Sequence, residues 1–200
     1  MSDDVYVHGH HESVLRSHTW RTIENSAKYL EQFLEDRSNL LDVGCGPGTI
    51  TIDFAKRLKK GTVLGIDISE DIIKKAQIAS QEFGFDNCSF DTGDTYHLDF
   101  ADNTFDIVHA HQLLQHLTDP VGAIKEMRRV VRPGGIVALR DADYGGMIWA
   151  PTDPKLDEWM DLYQQMTKKN KVTANAGRHL FSWVSQASFS SVEVTSSTWT

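Results

Sequence analysis

The chain has 200 residues, of which 40% are hydrophobic and 24% charged, a composition that suits one globular domain and excludes disordered, collagen-like and low-complexity proteins. Its 20 Lys and Arg residues face 28 Asp and Glu residues, and the net charge of −8 argues against the dense basic surface that nucleic-acid binding requires. Two cysteines, no apolar run of about 20 residues and the acidic start Met-Ser-Asp-Asp together predict a cytoplasmic protein without a disulfide framework, a membrane span or a signal peptide.

The predicted secondary structure alternates between strands and helices. Apolar residues recur at helical spacing in some segments, and short apolar runs predict buried strands in others. In chain order we predict a helix over much of 13–35, a strand 40–43, a helix 49–58, a strand 63–68, a helix between the cap residues Ser69 and Gly84, strands 88–90 and 105–110, a helix 120–131, a strand 136–140 after the turn Pro133-Gly134-Gly135, helices 151–169 and 179–187, and a strand 192–199. This alternation predicts an α/β fold, doubly wound, whose mostly parallel sheet carries helices on both faces.

The most informative motif is the glycine-rich segment 41–48, with the sequence LDVGCGPG, which follows the first predicted strand. Glycines after a strand let the backbone turn tightly and approach a ligand, and the helix N-terminus beyond them favours polar or anionic groups. Asp67 ends the next predicted strand, where an acid about 20 residues after the loop can accept hydrogen bonds from both ribose hydroxyls. The two features predict a nucleotide-type cofactor site, and the alternative is a loop whose glycines serve only a turn.

The glycine spacing separates two classes of cofactor. A dinucleotide loop has the pattern G-x-G-x-x-G, whereas Gly44, Gly46 and Gly48 follow the pattern G-x-G-x-G after Asp42. Asp42 would repel a pyrophosphate and could attract a cation or an amino group. The pattern D-x-G-x-G-x-G resembles the first motif of class I S-adenosylmethionine-dependent methyltransferases. In that family the loop faces the methionine part of the cofactor, and the acid at the position of Asp67 holds the ribose.

Three further segments resemble motifs of the same family, in the same order along the chain. Thr92-Gly93-Asp94 resembles the segment whose acid contacts the adenine amino group, 105–116 resembles the fourth-strand motif, and Arg132-Pro133-Gly134-Gly135 resembles the turn before the fifth strand. With the N-terminal segment 6–11, they are most similar to the ubiquinone/menaquinone-biosynthesis-like branch (methyltransferase domain 11/25 type), whose members mostly methylate small molecules. The resemblance implies S-adenosyl-L-methionine as the cofactor and a binding site formed by Asp42, Gly44, Cys45, Gly46, Gly48, Asp67, Ile68, Gly93, Asp94, Thr95 and His111.

Two histidines after the fourth predicted strand are candidate catalytic residues. His111 and His116 follow the strand end where the resembling fold places groups beside the transferring methyl. An imidazole titrates near neutral pH, so either side chain can serve as a general base. In the alternative interpretation His111 lends only its backbone to the methionine pocket, and His116 packs structurally.

Residues near both ends of the chain are candidates for the acceptor side of the site. They are Tyr6 and His10 in the N-terminal segment and Asp143 and Tyr144 after the fifth predicted strand. The alternatives are solvent-exposed histidines in the first segment and a solvated turn in the second. The four histidines before residue 20 lack cysteine or carboxylate partners at metal-site spacing, so we expect no metal.

We expect one domain made of three segments. Residues 1–36 form an N-terminal helical cap, 37–143 the S-adenosylmethionine-binding core, and 144–200 the substrate-side helices and last strand. The resemblance implies methyl transfer to an O, N, S or C nucleophile of a small-molecule acceptor, without a nucleic-acid partner. An NAD(P)-dependent oxidoreductase and a non-catalytic S-adenosylmethionine-binding module remain alternatives, because the strongest motifs locate the cofactor and not the acceptor.

The end of the predicted sheet departs from the family pattern. The resembling fold has seven strands in the order 3-2-1-4-5-7-6, and its seventh strand runs antiparallel between the fifth and the sixth. The predicted strand 192–199 looks like the sixth, and the sequence ends at Thr200, so we expect a sheet that lacks the last antiparallel strand. An unpaired edge on the fifth strand would lower stability, favour self-association and impair methyl transfer.

Overall fold

The computed structural model describes residues 20–198. A π-helical turn Ile23–Ala27 and a 3₁₀ helix Lys28–Phe33 precede the sheet. The strands are β1 (Asn39–Val43), β2 (Thr62–Asp67), β3 (Cys88–Thr92), β4 (Phe105–His111) and β5 (Val131–Arg140). The longer helices are α1 (Thr49–Arg57), α2 (Glu70–Phe83), α3 (Pro120–Val130), α4 (Pro154–Lys169) and α5 (Ala176–Gln186), and short 3₁₀ helices span Leu114–His116 and Tyr144–Gly146.

The five strands form one parallel sheet in the order β3-β2-β1-β4-β5. β1 pairs with β2 on one side and with β4 on the other, so the strand order reverses between β1 and β4. In open α/β sheets the ligand binds in the crevice beyond the carboxyl ends of the strands at such a reversal. The predicted α/β, doubly wound architecture is confirmed, and it directs attention to the ends of β1 and β4.

Both faces of the sheet are buried. Leu40 and Leu41 are adjacent in β1, point to opposite faces because side chains alternate along a strand, and are both fully buried. Leu41 packs in a cluster with Met127 of α3, whereas Leu40 packs in a second cluster with Phe54 of α1 and Leu30 of the N-terminal 3₁₀ helix. Burial on both faces explains why adjacent residues of β1 are both apolar, instead of alternating with polar ones.

The predicted ends of α2 are confirmed. The Ser69 hydroxyl accepts a hydrogen bond from the Ile72 backbone N–H at 3.4 Å, which satisfies one of the free donors of the first turn. Gly84 ends the helix in the left-handed conformation, with a φ of 65°, which glycine adopts without a steric penalty. These local signals can be recognised from sequence because they involve residues only three or four positions apart.

β5 begins earlier than predicted and contains the expected turn as a bulge. The register shifts between the pairs Phe105–Val131 and Ile107–Ile136. The intervening Pro133-Gly134-Gly135 cannot continue a regular ladder, because proline lacks an N–H donor and the first of the two glycines has a φ of 75°. The predicted strand 136–140 is therefore the regular part of a longer strand.

The predicted strand 192–199 is wrong over the part that the structure describes. Residues 191–198 form no strand, and Trp199 lies outside the described residues. A strand needs a neighbouring strand whose backbone pairs with its own, and this segment has none among the described residues. The apolar Val194 in the middle of it is 65% exposed. The segment is held instead by a side chain, because the Arg140 guanidinium donates a hydrogen bond to the Ser197 hydroxyl at 2.8 Å. Within residues 20–198 the sheet therefore ends at β5.

The predicted N-terminal helix is partly described and irregular. Residues 13–19 of the prediction lie outside the described part of the chain, and residues 23–33 form the π-helical turn and the 3₁₀ helix. Thr22 starts this segment with a capping box, in which its hydroxyl and the Asn25 side chain each accept the other residue's backbone N–H. Ile23 and Ala27 are buried, so the segment belongs to the hydrophobic core.

Candidate functional site

A pocket of about 180 Å³ lies beyond the carboxyl ends of β1, β2, β3 and β4. Its wall combines the loop after β1, the end of β2, the segment after β3, the segment after β4 and one residue of the N-terminal segment. Of the residues predicted to bind a cofactor, the lining includes Asp42, Gly44, Cys45, Gly46, Asp67, Ile68, Gly93, Asp94, Thr95 and His111, and it also includes His116. The pocket therefore lies where the strand order predicts a ligand site.

The glycine loop is anchored on β2 and leaves room above itself. The backbone N–H groups of Gly44 and Cys45 both donate to the Ile66 carbonyl, at 2.8 and 2.9 Å. Gly44 and Gly46 have φ values of 70° and 56°, a region that favours glycine. A Cβ on Gly46 would meet no atom within 4 Å, so the loop backbone is open to a ligand at that point.

Gly48 has a packing role and does not line the pocket. Its φ is 81°, and a Cβ at this position would lie 2.7 Å from the Phe90 ring and 3.0 Å from the Ala76 Cβ. Helix α1 can therefore approach β3 and α2 closely only because residue 48 has no side chain. The third glycine of the motif acts through helix packing, the role that the last glycine has in nucleotide-binding loops.

Asp67 connects the glycine loop to the end of β2. Its Oδ2 accepts the Gly46 N–H at 3.1 Å, and its Oδ1 accepts the Ser69 N–H at 3.0 Å. These two contacts fix the orientation of the carboxylate at the end of β2. The neighbouring Ile68 is 60% exposed and extends the pocket wall as an apolar surface.

The segment after β3 contributes a second acid to the same wall. The Asp94 Oδ1 accepts the Tyr96 N–H at 2.9 Å, which fixes the carboxylate close to the backbone. Next to it, the Thr95 hydroxyl oxygen is buried and has no hydrogen-bond partner among the described residues. Buried polar atoms in proteins are nearly always satisfied, so this hydroxyl fits a site that receives a polar ligand atom.

The sequence analysis placed Asp42 in the cofactor site, and the structure shows that its carboxylate also makes contacts inside the protein. It is buried, its Oδ1 lies 2.7 Å from the His109 Nδ1, and its Oδ2 accepts the Thr51 hydroxyl at 2.6 Å. Since a carboxylate only accepts, the His109 Nδ1 carries the proton in this contact. Sequence reasoning missed His109, although a histidine within the apolar run of β4 is itself a signal of a buried polar contact.

His111 and His116 are brought to the same wall after β4. Both line the pocket, and both are buried, with 7% and 8% exposure. The His111 ring stacks parallel to His109 with 6.4 Å between ring centroids. The His116 Nε2 lies 3.2 Å from the Gln115 Nε2, so the Gln115 amide and the His116 imidazole contact each other in the pocket wall.

Arg21 and Gln112 belong to the pocket, and sequence reasoning missed both. Arg21 Nη2 donates to Gln112 Oε1 at 3.0 Å, across 91 positions of sequence. Gln112 has a φ of 53°, and its N–H donates to the Arg140 carbonyl at 2.7 Å. No local pattern marks this contact, because it exists only when the N-terminal segment folds over the end of β4.

The candidate acceptor residues lie elsewhere or outside the described chain. The Asp143 carboxylate accepts three hydrogen bonds of 2.8 to 3.0 Å from Arg178, and it is not part of the pocket lining. Tyr144 also lies outside the lining and packs against Tyr163, with 4.7 Å between ring centroids. Tyr6 and His10 lie outside the described residues.

Asp141 is a buried acid directly after β5, and it contacts the backbone of the pocket residue Gln115. Its Oδ1 accepts the Gln115 N–H at 3.0 Å, and its Oδ2 is buried without a hydrogen-bond partner among the described residues. Burial raises the pKa of this carboxyl to about 7, although the Gln115 N–H and the positive charge of Arg21 act in the opposite direction.

Residues 20–198 contain neither a metal-binding cluster nor a membrane-spanning helix. No group of three or more His, Cys, Asp and Glu side chains in this part of the chain is arranged to hold a metal ion. No helix in the same range is both long and apolar enough to cross a membrane. The histidines before residue 20 lie outside this range.

The chain resembles known proteins over most of its length. The family described as "Methyltransferase domain" matches residues 34–193. An uncharacterized methyltransferase of Schizosaccharomyces pombe is 38% identical over an alignment 204 residues long, and this alignment includes 97% of this chain and 72% of that protein. A ubiquinone/menaquinone biosynthesis C-methyltransferase of Bdellovibrio bacteriovorus is 36% identical over 122 residues, which cover 61% of this chain and 50% of that protein.

Solved structures share the fold. The crystal structure of the YcgJ protein of Bacillus subtilis matches with a TM-score of 0.64 at 24% identity, over 80% of this chain and 66% of that one. The chain therefore spans between 50% and 72% of the length of these three relatives.

We expect the protonation of Asp141 to make stability fall as the pH rises from about 4 to about 7. The folded carboxyl keeps its proton up to a pKa of about 7, whereas an unfolded aspartate loses it near about 3.9. The native state then binds more protons than the unfolded state in this range, so its free energy of unfolding decreases with pH.

Asp141→Asn tests this expectation, because the amide cannot ionise and can still accept the Gln115 N–H. Urea unfolding of both proteins at about pH 5 and about pH 8 should show a smaller loss of stability in the variant, by up to about 2.5 kcal/mol, because the folded pKa of about 7 lies about two units above the lower pH. Equal losses in the two proteins would contradict the buried, protonated state of Asp141.

Proposed function

Because the chain belongs to the methyltransferase-domain family, we propose that its pocket binds S-adenosyl-L-methionine and that the protein transfers the cofactor's methyl group to a small-molecule acceptor. The observation that carries the proposal is the meeting of an open glycine loop with two acids, Asp67 and Asp94, around one pocket at the reversal of the strand order. The acids lie on the β2 and β3 side, which suits a ligand with a nucleoside at one end.

The residues present fit this cofactor. We assign the ribose to Asp67, whose carboxylate is oriented by two backbone N–H groups, and the adenine amino group to Asp94. The open backbone at Gly46 and the neighbouring His111 are assigned to the methionine part. The unsatisfied Thr95 hydroxyl supports a polar ligand beside Asp94. Asp42 supports the start of the loop through its contacts with His109 and Thr51.

The mechanism needs alignment more than chemical activation by the protein. When bound, S-adenosylmethionine would supply an electrophilic methyl on a sulfonium for transfer to an O, N, S or C atom of the acceptor, and the electron pair of the broken C–S bond would stay on sulfur as a neutral thioether. The pocket's part is to hold the two reactants in contact and to exclude water, which the burial of its β4 wall favours. We propose that His111 or His116 accepts the acceptor's proton where the acceptor carries one.

Two rival functions remain distinguishable. An NAD(P)-dependent oxidoreductase is disfavoured by the glycine spacing and by the family match. A non-catalytic S-adenosylmethionine-binding module would bind the cofactor as tightly as an enzyme but transfer nothing. Incubation with a methyl-labelled donor and a metabolite extract separates this module from a methyltransferase, because only the enzyme labels an acceptor.

The segment organisation expected from sequence stays a proposal. In its favour, every described lining residue lies in the core 37–143, with the exception of Arg21 from the segment 1–36. We propose that 1–36 and 144–200 contribute to the acceptor side, and an acceptor-bound structure in which neither touches the acceptor would contradict this. We further propose a cytoplasmic location, in keeping with the free thiols of Cys45 and Cys88, which localisation of the tagged protein would test.

Asp67→Ala should weaken S-adenosylmethionine binding by at least about tenfold, since a hydrogen bond to a charged group contributes roughly 1.5–3 kcal/mol. Isothermal titration calorimetry measures the affinity. The matched control is Asp71→Ala, which removes an exposed carboxylate in the first turn of α2 and should leave the affinity unchanged. Unchanged affinity in an Asp67→Ala protein that melts normally would disprove the ribose assignment.

His111→Ala or His116→Ala should lower the turnover number by roughly 10²-fold if the replaced imidazole takes the acceptor's proton. Cofactor affinity should survive, because the proposed role concerns the acceptor. His97→Ala is the control, since this histidine is exposed and lies outside the pocket. A variant that loses cofactor affinity in proportion to turnover would indicate a role in the pocket wall instead.

We propose that the β5 edge promotes self-association. In the described residues this edge strand pairs only with β4, and an unpaired strand edge offers N–H and C=O groups to another chain. Sedimentation velocity over a series of protein concentrations should show a growing dimer fraction. A single monomeric species at every concentration would contradict the proposal.

A further inference from the structure

Gln115 lies in the pocket wall with one half of its side-chain amide unused. The residue lines the pocket and is 2% exposed. Its Nε2 lies 3.2 Å from the His116 Nε2, whereas its Oε1 is buried and has no hydrogen-bond partner among residues 20–198. Buried polar atoms are nearly always satisfied, so this oxygen indicates a partner that the neutral site does not supply.

The contact between Gln115 and His116 defines the protonation state of one ring nitrogen. An amide NH₂ group only donates, so the His116 Nε2 carries a lone pair in this contact and the proton of the neutral ring is on Nδ1. Uptake of a second proton changes the contact, because an imidazolium has an N–H group at both nitrogens. The Gln115 NH₂ group would then face another donor.

A half-turn of the Gln115 amide resolves this conflict. Rotation about χ3, a torsion with two broad minima, exchanges Oε1 with Nε2 and lets Oε1 accept the Nε2–H of the charged ring. Within the described part of the chain, the amide makes no hydrogen-bond contact besides the one with His116, so no second contact opposes the half-turn. The backbone of Gln115 stays fixed, since its N–H donates to the Asp141 Oδ1 at 3.0 Å.

The charged groups near His116 come from several elements. Two helices pack against the 3₁₀ helix that carries it, α3 and α5. The Asp119 carboxylate caps α3 by accepting the Gly122 N–H, and Arg178 of α5 pairs with Asp143. Asp141 contacts the Gln115 backbone from the end of β5. The titratable and charged groups that line the pocket with His116 are Arg21, Asp42, Cys45, Asp67, Asp94 and His111.

We propose that Gln115 is a positioning residue for His116, whose amide donates to the neutral ring and accepts, through Oε1, from the ring that has taken up a proton. The inference rests on the proposed function, in which His116 removes a proton from the acceptor. The acceptor's new bond to the methyl replaces the C–S bond, and the proton that the acceptor loses gives the ring the positive charge that the sulfonium loses. Nε2 then carries a proton whichever nitrogen received it, and Oε1 stabilises that N–H.

The first test follows the wild-type protein by NMR with isotope-labelled histidine and glutamine side chains. As the pH falls, the His116 Nε2 should change from a lone-pair nitrogen to an N–H, and the Gln115 side-chain amide signals should change with the same midpoint. His97, which is exposed and lies outside the pocket, gives the reference titration. Gln115 signals that stay constant while His116 titrates, or a His116 ring that takes up no proton before the protein unfolds, overturn the proposal.

Two variants separate hydrogen bonding from packing in the same titration. Gln115→Glu places a negative charge against the ring and should raise the pKa of His116 by at least about 1. Gln115→Met keeps the length of the side chain without donor or acceptor and should lower that pKa. Gln186→Glu makes the same charge change at an exposed position of α5 and is the matched control, with no expected effect.

An equal pKa of His116 in the wild type and both Gln115 variants overturns the positioning role. The titrations need neither cofactor nor acceptor, so their outcome is independent of the proposed function. Wild-type protein that binds no S-adenosylhomocysteine in calorimetry contradicts the proposed function instead.

Discussion

The buried carboxylate of Asp42 joins the elements that carry the pocket. Its two oxygens accept hydrogen bonds from His109 of β4 and Thr51 of α1, directly below the glycine loop. Burying a charge is costly unless it is hydrogen-bonded, so β1, β4 and α1 must meet in one geometry for the site to form. Gly48, at the start of α1, permits that geometry because it has no side chain, whereas a Cβ at this position would collide with Phe90.

The end of β5 supports the same site from the opposite side. Arg140 donates to the carbonyls of Asn25 and Ser26 at 2.9 and 3.1 Å, which holds the N-terminal helical segment against the sheet. Asp141 accepts the Gln115 N–H and so fixes the 3₁₀ turn that carries two pocket residues. The parallel sheet therefore does more than bring strand ends together, because its last strand also secures the segments that close the pocket on the β4 side.

Sequence reasoning succeeded where the signal is local or periodic and missed contacts between distant residues. The loop 41–48 and Asp67 were predicted because glycine chemistry and strand spacing are visible in a short window. The Arg21–Gln112 contact spans 91 positions, and no single segment contains both partners. The predicted strand 192–199 failed over its described part, 192–198, for the same reason, since a strand exists only through its neighbour and periodicity does not reveal whether a neighbour is present.

The proposed function requires the pocket at the reversal of the strand order to bind S-adenosylmethionine. Parallel calorimetric titrations of the wild-type protein with S-adenosylhomocysteine and with NADH test this requirement. The first ligand is the product that S-adenosylmethionine leaves after methyl transfer, and the second is the dinucleotide that an oxidoreductase with a glycine-rich loop would bind. We predict saturable one-to-one binding of S-adenosylhomocysteine and no measurable binding of NADH. Binding of NADH without binding of S-adenosylhomocysteine would contradict the proposed function and favour an oxidoreductase.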